Sequence, residues 1–253
     1  MEYPISLPGN AYAPAAAAEI LALARSYLAQ ADRLIYSYGS RTFLSGYDLF
    51  DPEHGGRGNI DCSTFVWLVL AGIPYERSPY ALGRVDVLTL RPRAELDFAF
   101  LRSLPERYIP IAERIGHPEL AGPKGLDLDK AAAMGVSAET LGEKIRAAGV
   151  SRRSEALARQ LLRRGECFAD AAAARPGDLV FFRSEQFFPE GSRGQETSVT
   201  HVGILSEDVS RMIHSSGYRR RERASAEIPG AVALSPVSDR NDLAFYARPL
   251  YLV

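Results

Sequence analysis

Among 253 residues this chain has two cysteines, four histidines, one tryptophan and three lysines, Lys124, Lys130 and Lys144. Two cysteines, Cys62 and Cys167, allow at most one disulfide and do not suggest a cysteine-stapled secreted scaffold, and no C-x-x-C or H-x-x-x-H spacing offers a zinc motif. Basic charge falls on arginine, the formal net charge is −1 and there is no basic tail, which argues against nucleic acid as the partner. No apolar run approaches the roughly 20 residues of a membrane-spanning helix, so no membrane insertion is expected. Met1-Glu2-Tyr3-Pro4-Ile5 has neither a positive n-region nor an apolar h-region, so no signal peptide is read. The protein is then expected to act in the cytoplasm or to be exported by another route. Hydrophobic content of 46% and charged content of 24% are ordinary for a globular chain. Residues 1–253 are read as one elaborated domain.

What the chain does have is a cysteine at the start of an apolar helix. In Asp61-Cys62-Ser63-Thr64-Phe65-Val66 the apolar run continues to Leu70 and stops at Gly72 and Pro74. Asp61 is a good N-cap, Gly72 suits the C′ position, and Pro74 cannot continue a helix. A thiol on the first helical residue faces unpaired N–H groups and the positive end of the helix dipole, which favour thiolate. The same N–H groups can hold the oxyanion of a tetrahedral intermediate. Alone, Cys62 would read as a small buried apolar residue. Cys167, in Gly165-Glu166-Cys167-Phe168, has no histidine or acid motif around it and reads as packing.

Histidines supply the rest of a thiol site. His201 opens His201-Val202-Gly203-Ile204-Leu205, and His214 closes Met212-Ile213-His214-Ser215. Ser206 to Ser210 between them has turn composition, so the two runs pair as a hairpin that sets both imidazoles on one face. Gly203 is expected to let the cysteine helix approach the sheet closely. A thiol, a base and a group that orients the base make an acyl-transfer site. His54 and His117 read as loop residues.

These segments, with Pro176-Gly177-Asp178-Leu179-Val180-Phe181-Phe182, occur in the order found in the NlpC/P60 cysteine peptidases, which the chain resembles over roughly 18–75 and 155–253. The resemblance implies an α+β fold, papain-like but rearranged, with N-terminal helices packed on a central antiparallel sheet. It implies Cys62 as nucleophile, His201 as base and His214 as orienter, with no cofactor and no metal. It also implies hydrolysis of γ-D-glutamyl–diamino acid bonds in peptidoglycan stem peptides or muropeptide fragments. Tyr36-Ser37-Tyr38-Gly39-Ser40 resembles the family's substrate-lining segment, and Tyr36, Asp61 and Ser63 fall where relatives bind a free N-terminal amine. Asp61 is equally explained by capping alone. Departures are Ser40 and Thr64 in places where glycine is usual, and a long loop in which Tyr47 offers an alternative to Tyr36. Two other functions fit the same residues: an amidase or acyltransferase on a non-peptidoglycan substrate, and a catalytically silent binding module. Arg219, Arg220, Arg221 and Arg223 read as a solvated turn or as a carboxylate-binding cluster.

Around these motifs, a first helix over about 15–35 is expected from the helical recurrence of Ile20, Leu23, Tyr27, Leu28, Ala31, Leu34 and Ile35. Residues 78–150 form a large, mainly helical or irregular insertion, with a helix from the Ser137 cap to Gly149. Another helix follows at Arg153 to Arg164. Strands are expected at 178–183, 201–206, 211–215 and 245–252. Long insertions of this kind tend to build lids or pocket walls.

Overall fold

The computed structural model describes residues 13–36, 50–51, 55–83, 91–103, 111–122, 125–148, 153–183, 199–216 and 231–252. Tyr38, Ser40, Tyr47, His54, Gly149 and the Arg219–Arg223 cluster lie outside them. The first half carries helix α1 (Pro14–Leu28), strands β1 (Leu34–Tyr36), β2 (Phe50–Asp51) and β3 (Arg57–Ile60), and helix α2 (Cys62–Leu70). Short helices α3 (Pro79–Leu82), α4 (Phe98–Ser103) and α5 (Ile111–Arg114) follow, then strands β4 (Ala121–Gly122) and β5 (Gly125–Leu126). Next come helices α6 (Leu128–Ala133), α7 (Ala138–Ala148) and α8 (Arg153–Arg164). Six strands follow: β6 (Glu166–Phe168), β7 (Leu179–Arg183), β8 (Val199–Leu205), β9 (Arg211–Ser215), β10 (Val232–Pro236) and β11 (Leu243–Arg248).

The arrangement mixes helices with a six-stranded sheet in the order β10-β9-β8-β7-β11-β6, with every neighbouring pair antiparallel. Helices α1, α2 and α8 share one core with Leu179, Phe181, Val202, Ile204, Ile213 and Phe245 from the sheet. Val180, Phe182, Leu205, Met212 and Tyr246, one residue out of phase on their strands, form a second cluster, as period-two alternation requires. Helix α2 is buried at every position, which its unbroken apolar run anticipates. It ends as expected: Ala71 caps it and Gly72 takes φ 78°, where a side chain would also strike the Arg91 carbonyl.

The first helix is shorter than its periodicity implies. It stops at Leu28, and Leu34 and Ile35 belong to β1, which pairs in parallel with β3. A strand partner from the segment just before Cys62 outcompetes continued helix, a contact no local pattern reveals. Helices α7 and α8 match their expected spans, and Ser137 caps α7 by accepting the Thr140 N–H at 3.1 Å. Strands β6 and β10 were not expected. Both are short edge strands, and β10 ends in a proline that an edge tolerates.

The long segment between α2 and α8 divides physically. Its Arg91–Ser103 part joins the main body: Arg93 N–H donates to Leu70 O, Glu95 N–H to Leu250 O, and Leu96 and Leu101 enter the main core. Residues 111–148 instead gather around their own cluster of Ala112, Ile115, Leu120, Leu126, Ala131, Leu141 and Ile145.

A rigid tie locks the sheet. Arg248 of β11 donates to both Asp178 oxygens at 2.9 and 2.7 Å, to Glu166 at 3.2 Å and to the Ala173 carbonyl at 2.9 Å. Asp178 is wholly buried, and burial holds its carboxyl above the ordinary range even with Arg248 against it.

Candidate active site

Asp61 caps α2, its Oδ1 accepting the Thr64 N–H at 2.7 Å and the Ser63 hydroxyl at 2.9 Å. Phe65 N–H takes the Asp61 carbonyl. The cap leaves the N–H groups of Cys62 and Ser63 outside its hydrogen bonds, and these are the donors a helix start offers to an anion. Tyr36 pairs in register with Ile60, two residues before Cys62, so Tyr36, Asp61, Cys62 and Ser63 cluster at the end of the β1–β3 ladder.

The histidines meet as the hairpin implies. Strands β8 and β9 pair Ile204 with Ile213 and Leu205 with Met212. His201 Nε2 and His214 Nδ1 are 2.7 Å apart, with ring centroids 5.0 Å apart and planes at 82°. Both are buried. The role of Gly203 differs from the expectation. A Cβ there would meet Met212 Sδ at 3.0 Å, His214 Cβ at 3.2 Å and the Ile213 carbonyl at 3.4 Å, all on β9. The glycine makes room for His214 rather than for the cysteine helix.

Helix α2 packs on β8 and β9, which brings the thiol toward the residue after the candidate base, Val202, whose backbone favours its ionised form. A second link runs from β9, where Ser215 donates to the Ile60 carbonyl at 3.1 Å. Both thiols are free, and both are buried.

Electrostatics overturn one expectation. Three groups pull toward thiolate: the Val202 backbone of β8, Arg240, and, at the helix start, the Ser63 backbone. Burial outweighs them, with the Asp61 carboxylate adding to it, and the Cys62 thiol is pushed up to about 12. His201 is held well below its ordinary value by burial first, then by His214 and Arg240. The resting pair is therefore neutral thiol and neutral imidazole. In that state one of the two facing ring nitrogens carries the hydrogen. If His201 Nε2 donates to His214, His201 Nδ1 is left bare to accept a proton.

Two neighbours were missed in the sequence. Phe182, directly opposite His201 on β7, packs its ring 5.7 Å from the imidazole. Arg240 lies over the Phe182 ring, 4.7 Å from its centroid. Thr64, one of the departures noted above, accepts a hydrogen bond from Arg153 of α8 at 3.0 Å, which ties the helix after the insertion to the cysteine helix. Among the described residues no group of three or more His, Cys, Asp and Glu is placed to hold a metal ion, and no helix is long and apolar enough to cross a membrane.

No family model matches the chain, and no curated protein matches it. Among solved structures, RipB, a peptidoglycan hydrolase of Mycobacterium tuberculosis, aligns with a TM-score of 0.37 at 14% identity, over 96% of this chain and 70% of that one. A likeness of that size carries no functional argument, so the reading of function rests on the residues themselves.

Proposed function

We propose that the chain is a cysteine hydrolase whose nucleophile is Cys62, base His201 and orienter His214, and that it cleaves γ-D-glutamyl–diamino acid bonds in peptidoglycan stem peptides or muropeptide fragments. The observation that carries the reading is the 2.7 Å bond between His201 and His214 on strands that pack against the cysteine helix, one of them tied to Ile60 through Ser215. The bond class comes from the motif resemblance. Residues 1–253 act as one catalytic unit, with 78–150 inserted into it.

In the proposed cycle His201 Nδ1 takes the Cys62 proton as sulfur attacks the carbonyl, because a buried thiol raised to about 12 does not ionise beforehand. The Cys62 and Ser63 N–H groups receive the oxyanion. His214 stabilises the imidazolium, His201 protonates the leaving amine, and water with His201 as base resolves the thioester. No step calls for a metal or an organic cofactor. Tyr36, Asp61 and Ser63 receive the free amine of the substrate, with Asp61 as counter-charge and cap at once.

A second reading keeps the chemistry and changes the substrate to another amide or ester. The separate apolar cluster of residues 111–148 favours it, since a module with its own core can build a different pocket wall. Incubation with L-Ala-γ-D-Glu-diaminopimelate and mass detection of products tests the first reading, with Cys62→Ala as control. Release of diaminopimelate by wild type alone supports it. An intact tripeptide beside turnover of another amide would favour the second.

A further inference from the structure

Arg240 follows a 3-10 turn (Val237–Asp239) and precedes β11, so nothing in the hairpin or the cysteine motif accounts for it. Its Nε and Nη2 donate to the two Asp242 oxygens at 2.9 and 2.6 Å, and its guanidinium carbon sits 4.7 Å over the Phe182 ring. Asp242 is fixed in turn by its carbonyl, which accepts the Arg183 N–H at 2.9 Å. The fork is thus clamped from one edge and one face, against the ring that touches His201. Its field reaches both Cys62 and His201. The side chains of Arg240 and Asp242 are 17% and 26% exposed, and among the described residues Nη1 has no hydrogen-bond partner. A guanidinium has two usable edges; Asp242 occupies one, and the Nη1 edge remains for a second carboxylate.

We infer that Arg240 is a specificity-determining residue that selects acyl donors bearing a carboxylate close to the scissile carbonyl. The inference rests on the hydrolase reading for its substrate, the γ-linked glutamate whose α-carboxylate stays free. Asp61 on the cysteine helix and Arg240 before β11 then give the site one acidic and one basic end. The donor class that fits is a zwitterion, with an ammonium toward Asp61 and a carboxylate toward Arg240. A fixed cation near the nucleophile raises the local concentration of anionic partners and disfavours their neutral isosteres little or not at all.

Iodoacetate and iodoacetamide test the charge preference without assuming a substrate, because they differ in charge and hardly in size. Their alkylation rates are measured at Cys62 in the whole protein, with Cys167, which lies beside Glu166, as internal reference. The iodoacetate-to-iodoacetamide ratio is expected to be higher at Cys62 than at Cys167. It should fall about fivefold in Arg240→Gln, as expected for one charge at partly screened range, and persist in Arg240→Lys. Asp242→Asn, which keeps Arg240 and removes the competing carboxylate, should raise it, and this serves even if Arg240→Gln folds poorly. A ratio insensitive to all three substitutions overturns the inference. A tripeptide pair differing only in an α-carboxylate or α-amide on the γ-linked glutamate is then compared by kcat/KM. Wild type should favour the carboxylate and Arg240→Gln neither. If neither peptide is cut while the alkylation ratio follows Arg240, the hydrolase reading fails and the anion selectivity stands. If both are cut equally well by wild type, the selectivity fails and the hydrolase reading stands.

Discussion

Ser215 donates its hydroxyl to the carbonyl of Ile60 at 3.1 Å, across 155 positions of chain. Each partner adjoins a candidate functional residue: Ser215 follows His214, and Ile60 precedes Asp61 and Cys62. The bond therefore links the strand of the candidate orienter directly to the segment of the candidate nucleophile. It is buried at both ends, so its loss cannot be made good by water.

Ser215→Ala should destabilise the fold by about 1–3 kcal/mol, the cost of leaving a buried carbonyl unsatisfied. The larger effect should be on kcat, because the cysteine segment loses its anchor to β9. Thermal unfolding and steady-state kinetics on the same preparation check this. A stability loss with unchanged kcat would show that the bond supports the core alone.

Alkylation should separate the two thiols for a reason other than their intrinsic acidity. Burial pushes Cys62 and Cys167 up alike, to about 12. With His201 as the proposed base of Cys62, iodoacetamide should modify Cys62 before Cys167. His201→Ala should bring Cys62 down to the rate of Cys167, with a loss of about 100-fold or more in kcat. His214→Ala should fall between, since it leaves the base present and less well oriented. Equal rates at both thiols in wild type would remove His201 from the role of base.

The parts of this site readable from sequence are those whose geometry is local. Asp61 as cap, Cys62 as first helical residue and the His201–His214 hairpin each need only a few neighbouring residues to define them. Arg240 and Phe182 were illegible because the β7–β11 and β7–β8 pairings bring them together, and no pattern within either segment announces it. The thiolate expectation failed in the same way. A helix start is visible in a sequence, whereas the burial that outweighs it is a property of the packed sheet and helices. Leu34 and Ile35 continue a helical period and yet form a strand, because β3 offers a partner only in three dimensions.

The Asp178–Arg248 pair should be the most sensitive tie outside the site. Arg248→Met leaves a fully buried carboxylate without its bidentate partner, which costs about 3–5 kcal/mol if the charge stays. Asp178 is already held above the ordinary carboxylate range, so it can protonate instead and bring the loss toward the lower end. Arg248→Met combined with Asp178→Asn should recover part of the stability. Denaturant unfolding of the single and double variants decides it. A double variant no more stable than Arg248→Met would mean that packing over Phe168, not charge, dominates the loss.

The pH profile should distinguish a neutral resting pair from a preformed ion pair. His201 is held well below 6.5 and Cys62 near 12, so the competent form, bare imidazole with protonated thiol, fills the interval between them. kcat/KM should be flat from pH 6.5 to pH 9 and fall only on the acid side, below 6.5, as His201 takes a proton. Stability follows the same group. Between 6.5 and the lowered folded value, the unfolded chain binds a proton at His201 that the folded chain refuses, so stability is full above 6.5 and declines as pH falls through that window. His201→Gln should remove that part of the acid slope. A preformed thiolate–imidazolium pair predicts the reverse on the alkaline side, with activity lost as the imidazolium deprotonates. An alkaline limb in kcat/KM between pH 7 and 9 would therefore show that substrate meets a charged pair, and that the buried neutral thiol is not the reacting form.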